Sequence, residues 1–224
     1  MLEKLKSRDK EITYDKLMML FLLGGIAGVI LEGTFCFITK GHWESHVVTV
    51  VGTFNTLYGV GAMLFYVGAV KLKSKSMPYK VAVMTVSATA LELLSGLLLR
   101  YGLGMRAWDY SNSFMNYKGI ICIGFTCIWG LVAFIFCKLQ PKISRGLENF
   151  EGKKWHIAFV IFGVFMVLNL TLTAMYITRW SERHYGFSAQ SKIQSTIDKD
   201  APDDWMQSRF VEWEFLDTIK DKVN

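Results

Sequence analysis

The chain has 224 residues, 52% of them hydrophobic, with a mean hydropathy of +0.29, a formal net charge of +6 and a pI of about 9.1. Soluble domains also reach that hydrophobic fraction, so distribution decides: charges fall in blocks, separated by apolar runs of about 20 residues that can cross a hydrocarbon core of about 30 Å. The basic excess sits on the loops between those runs and forms no basic face on a folded soluble element, which excludes nucleic acid as a partner.

Residues 1–16 form a polar lead of mixed charge. The apolar run after it is full length and has no small-residue cleavage site, so it reads as a retained first span rather than a signal peptide. That span runs from Leu17 to about Thr39. Its Gly24-x-x-x-Gly28 either admits a neighbouring helix closely or reflects how common glycine is in membrane helices. Glu32 lies farther along the same span. After the loop Lys40–Ser45, the uncharged stretch Val47–Val70 is long for one straight crossing. Its early Thr49, Gly52, Thr53 and Asn55 fit either a tilted helix or a short re-entrant approach to a helix of about 55–72.

Lys71, Lys73 and Lys75 make a basic loop, and Pro78 opens a third span of about 79–101 that carries Glu92 and ends near Arg100. Loop 102–118 holds Trp108-Asp109-Tyr110-Ser111. A fourth span runs from about Gly119 to Cys137 with Trp129 at its middle, and a fifth from about His156 to Ile177. Within the fifth, Asn169-Leu-Thr171 matches a glycosylation sequon but lies at bilayer depth, so it is not read as one.

Lys and Arg set the orientation. The lead, loop 71–80 and loop 138–155 carry 5, 4 and 5 of them, against one in loop 40–54 and two in loop 102–118. The expected fold is therefore an all-α polytopic cell-membrane protein: a cytoplasmic lead (1–16), a domain of about five transmembrane helices (17–178) and an extracytoplasmic tail (179–224). In the tail, Asp204 and Gln207 resemble a capping box. Met206, Phe210, Trp213 and Leu216 or Asp217 mark one face of an amphipathic helix, resting at the membrane interface or closing as a lid over an outward-facing site. A faint repeat pairs Glu32 with Glu92, each in a span followed by a polar loop and a glycine-containing span.

Charged side chains deep in membrane helices face a bundle interior or water and mark pathways or sites. Glu32 and Glu92 are thus the leading ligand-binding candidates, set against bracing of helices as the alternative. Arg100 and Asp109 could line the same cavity. Trp108 and Tyr110 either anchor the interface or, with Asp109 between them, belong to the site; Asn116 caps or braces the fourth span. The indole N–H of Trp129 needs a buried acceptor. His42-Trp-Glu44-Ser-His46 places two histidines on one face of a helix without an evident third ligand, so no metal and no cofactor is expected. Cys36, Cys122, Cys127 and Cys137 read as small hydrophobes. No phosphate-binding Gly-rich loop with Lys-Ser/Thr occurs, so the chain does not itself hydrolyse ATP by that route.

Glu32, Tyr58-Gly59-Val60-Gly61, Glu92-x-x-x-Gly96, Trp108–Ser111, Asn116-x-x-Gly119, Cys122 and Trp129-Gly130 together resemble the CmpB family, whose members are labelled ABC-transporter permeases and have animal transmembrane relatives. The resemblance covers roughly residues 17–138 and is most specific between Trp108 and Gly130. It implies a permease-like component moving a small polar or amphiphilic solute, in the lipid bilayer, with a separate ATPase subunit or as a homo-oligomer. An intramembrane enzyme acting on a lipid or lipid-linked substrate, and a non-catalytic membrane regulator, are the competing readings.

Overall fold

The computed structural model describes residues 11–217. Four helices in it are long and apolar enough to cross a membrane, and a fifth is shorter. Helix α1 spans Tyr14–Lys40, α2 Thr56–Lys71, α3 Met77–Leu97, α4 Ile123–Glu148 and α5 Lys153–His184. A π turn over Leu98–Gly102 extends α3. The all-α polytopic membrane fold follows from these elements.

Local chemistry sets the helix ends. The Thr13 hydroxyl caps α1 by accepting the Lys16 amide, and Gly41, at φ 78°, closes it with an N–H bond to the Phe37 carbonyl. Only glycine adopts that left-handed cap without strain. Asn55 caps α2 through the Leu57 amide. Helix α4 starts at Ile123 rather than Gly119, because Asn116–Tyr117 (β2) and Ile121–Cys122 (β3) pair as a short hairpin first. It also runs past Cys137, through Pro141, to Glu148. Basic side chains at Lys138, Lys142 and Arg145 need water, not a helix end.

The bundle has two unlike ends. At one, Lys16 pairs with Glu151 at 2.8 Å, Lys73 with Glu11 at 3.0 Å, and the Tyr66 hydroxyl donates to the Glu11 carbonyl at 2.9 Å. At the other, α5 projects beyond the bundle and the tail folds against it. Two short tail helices, α6 (Lys192–Asp200) and α7 (Asp203–Arg209), lead to strand β4 (Glu214–Phe215), which pairs antiparallel with β1 (Met105–Arg106). Buried Arg179 holds α6 through two bonds to Asp198, at 2.8 and 2.9 Å.

The tail's amphipathic character is present but divided. Helix α7 ends at Arg209, and Trp213 and Phe215 reach the same core through a turn and a strand. Met206, Phe210, Trp213 and Phe215 pack on Met105 and Trp180, so that face is buried in protein rather than laid on a membrane interface. Asp204 lies inside the first turn, after the N-cap Pro202, so the expected capping box is not formed. Gln207 instead donates to the carbonyls of Val211 and Trp213 beyond the helix end.

Between α1 and α2 the chain is not helical. Residues 43–48 carry no regular secondary structure, and the stretch to Asn55 bends back into the bundle, with Val47 and Thr49 fully buried. Non-helical backbone at such depth survives only if protein satisfies its polar groups. Here the Asn55 amide donates to the Gly25 carbonyl at 2.9 Å and the Val48 amide to the Phe54 carbonyl at 2.9 Å. Thr173 accepts the Val50 amide, and Asn169 bonds both the N–H and the C=O of Val51. This segment, re-entrant in that it folds back into the helix bundle, explains why α2 has only 16 residues, about 24 Å of helix.

Candidate functional site

Helices α1 and α2 approach closely where Gly24 and Gly28 leave room: a Cβ on Gly28 would lie 2.6 Å from the Tyr58 Cβ, and one on Gly24 2.8 Å from the Ala62 Cβ. That proximity lets the Tyr58 hydroxyl donate to Glu32 in a short hydrogen bond. Helices α3 and α4 repeat the arrangement, with the Trp129 indole N–H donating to Glu92 Oε2 at 3.0 Å. In each case the acid accepts from an aromatic residue of the following helix, and a glycine follows that aromatic residue.

The two halves meet through their rings. Tyr58 and Trp129 have centroids 6.0 Å apart, and Phe65 packs edge-on against Trp129 at 6.2 Å. From the loop, Tyr110 reaches in to donate to Glu92 Oε1 at 3.1 Å, held by stacking on Phe125 at 4.4 Å. Burial and the neighbouring Glu92 carboxylate push the Tyr110 phenol well above its ordinary range, so it remains a donor. Glu92 is 4% exposed, and Glu32 is half-buried. Among the described residues neither carboxylate has a cationic side chain against it; each is matched by neutral aromatic donors.

Five of the candidates, Glu32, Tyr58, Glu92, Tyr110 and Trp129, therefore converge. The other four bond within the loop 102–118 and its neighbours rather than to either acid. Trp108 donates its indole N–H to the Ile120 carbonyl at 2.8 Å. Asp109 accepts from the Ser111 amide at 2.9 Å and hydroxyl at 2.5 Å, and pairs with Arg106. Burial raises the Asp109 pKa, but the Ser111 bonds and the Arg106 charge outweigh it, and its carboxyl sits below the usual range. Asn116 donates to the carbonyls of Ser111 and Ser113 and accepts the Gly119 amide, so it braces the hairpin and not the start of a helix. Arg100 donates to the Lys118 carbonyl and to neither acid, and its Nε is buried without a hydrogen-bond partner.

Thr173 and Arg209 escaped the sequence reading, and Asn169 entered it only as a sequon set aside. Two polar residues at i and i+4 in an otherwise apolar span share a helix face, and that spacing was their signal. Arg209, in the tail, donates to the carbonyls of Thr49 and Gly52, so the tail is tied to the re-entrant segment.

Compared with known families, residues 19–174 match the family model described as "Putative ABC-transporter type IV" (CmpB). The match runs well into α5, beyond the stretch 17–138 on which the sequence resemblance rests, and includes the Asn169 and Thr173 that hold the re-entrant segment. No curated protein and no solved structure matches the chain.

Proposed function

Since the chain belongs to the CmpB family of ABC-transporter type IV proteins, we propose that it is a permease-like transport component whose acidic site takes the cationic group of a small polar or amphiphilic solute. One observation carries this reading: two carboxylates lie in the bundle with aromatic donors and, among the described residues, no cation. An uncompensated carboxylate within a membrane bundle is costly, so a bound cation would be strongly favoured there. Aromatic faces beside a carboxylate suit an ammonium group, which draws on ring quadrupoles as well as charge. The solute would displace the Tyr58 or Tyr110 hydroxyl from its acid.

Charge asymmetry between the loops supports an N-terminal end facing the cytoplasm and a tail facing outward. With no phosphate-binding loop in the chain, energy would come from a separate ATPase, docking on the basic loops at the cytoplasmic end. Purified protein should bind radiolabelled choline or tetraethylammonium. Glu92→Gln should lose at least about tenfold in affinity, the scale of one desolvated charge contact. Gln can still accept from Trp129 and donate to the Tyr110 oxygen, so the fold is retained. Equal binding by wild type and Glu92→Gln, or binding of neither probe by the wild type, would overturn the proposal.

A further inference from the structure

The segment after α1 brings together side chains that the transport reading does not use. Cys36, on the last two turns of α1, is 3% exposed. Its Sγ lies 3.0 Å from His46 Nε2 and 3.5 Å from Glu44 Oε2, and those two atoms are 3.7 Å apart. The expectation of no third ligand fails because the segment is not helical: it doubles back and sets His46 against a cysteine ten residues upstream.

We propose that Cys36, Glu44 and His46 bind a divalent ion of the zinc class. Zinc bonds of about 2.0–2.3 Å to nitrogen, oxygen and sulfur put tetrahedral donors roughly 3.4–3.6 Å from one another, close to the three distances found. One thiolate, one imidazole and one carboxylate form a borderline-soft donor set that selects zinc-like ions over magnesium or calcium. On binding, the Cys36 S–H bond breaks, its proton passes to solvent, and the sulfur lone pair forms the metal bond.

A second observation points the same way. The other ring nitrogen of His46, Nδ1, faces Glu212 Oε1 at 3.4 Å, and Glu212 Oε2 is buried with no hydrogen-bond partner. Metal-ligating histidines commonly donate their second N–H to a carboxylate, which fixes the tautomer and leaves the outer nitrogen free for the ion. Glu212 comes from the tail, so the ion would join α1, the re-entrant segment and the tail at one point. His42, whose Nε2 bonds Glu44 Oε1 at 2.9 Å, or water would complete four-coordination. Lys40 Nζ bonds Glu44 Oε2 at 2.7 Å and must leave; at 51% exposure its flexible chain has open solvent to enter.

The site stands independently of the transport reading, and its test needs no transport assay. The full-length protein in detergent is titrated with cobalt(II) alone, whose thiolate charge-transfer absorption reports sulfur ligation. One equivalent per chain should bind and be displaced by zinc. Cys36→Ser should lose the band, Cys127→Ser should keep it, and Glu212→Gln should weaken binding about tenfold or more. Should the Cys36 variant fail to fold, alkylation of wild-type Cys36 can be followed by peptide mass spectrometry. Zinc, and not magnesium, should then slow it at least tenfold. A cobalt band that survives in folded Cys36→Ser, or alkylation unaffected by zinc, would overturn the proposal.

Discussion

Asn169 holds Val51 by both of its backbone groups: the side-chain amide donates to the Val51 carbonyl at 2.9 Å and the side-chain oxygen accepts the Val51 amide at 3.1 Å. One buried side chain of α5 thus satisfies both backbone groups of a residue in a bend. Thr173, one turn on, repeats half of it for Val50. This ladder holds the segment against α5, alongside the Asn55–Gly25 bond to α1 and the Arg209 bonds from the tail.

Asn169→Ala leaves the Val51 amide without its partner and the Val51 carbonyl with only the Thr49 hydroxyl, which donates to it at 3.1 Å. We expect a loss of about 2–3 kcal/mol. Thr173→Val, which keeps the shape and removes one acceptor, should cost about 1 kcal/mol. Thermal unfolding in detergent, followed by near-UV circular dichroism, measures both. Equal stability of Asn169→Ala and wild type would show that the ladder does not hold the segment.

Two glycines of the α1–α2 pair should respond oppositely to alanine. At Gly28 the new Cβ would meet the Tyr58 ring and Cβ at 2.5–2.7 Å, whereas at Gly61 nothing lies within 4 Å. Gly28→Ala should force the helices apart, cost about 1–3 kcal/mol and break the Tyr58–Glu32 bond. Gly61→Ala should be neutral or stabilise by up to about 1 kcal/mol, through its lower backbone entropy in the unfolded chain. The same unfolding assay decides, and a destabilised Gly61→Ala would contradict the packing described.

The guanidinium fork of Arg209 spans two carbonyls, Thr49 O and Gly52 O, with Nε and Nη2 both engaged at Thr49. A lysine offers a single point charge in place of the fork. Arg209→Lys should therefore loosen the tail from the segment, at a cost of about 1–2 kcal/mol. Hydrogen exchange of residues 48–53 should quicken in the variant, and unchanged exchange would mean the tail is not what restrains them.

Acid should release the tail. The Arg179 bonds, with help from Arg183, hold the Asp198 carboxyl below its ordinary value of 3.8. A depressed folded-state pKa stabilises above the unfolded value and is lost as pH falls through the folded one. Docking of α6 should thus be intact above about pH 4 and weaken progressively below 3.8. Tryptophan fluorescence from Trp180, titrated from neutral to acid, should show the transition. In Asp198→Asn the tail should already be looser at neutral pH, with that acid transition missing.

The sequence alone determined the membrane-spanning character, the polytopic helical fold and the presence of an acid, Glu32 or Glu92, inside each of two apolar helices. Each follows from local quantities: the length of an apolar run, the positions of Lys and Arg, and a charge where lipid tolerates none. Trp129 was legible as needing an acceptor, because an indole N–H at mid-span has no water to bond. The identity of that acceptor was not legible, and neither was the division of labour around it. Trp108, Asp109, Tyr110 and Asn116 stand almost together in the chain, yet only Tyr110 reaches Glu92, because a hairpin turns the others back into their own loop. Asn169 looked like an idle sequon, and Cys36 like a small hydrophobe, since their partners lie 118 and ten residues away. Such pairings are decided by how the helices pack. Close approach at Gly24 and Gly28 and the folding-back of one non-helical segment bring distant side chains into contact, and no local pattern encodes the distance between them.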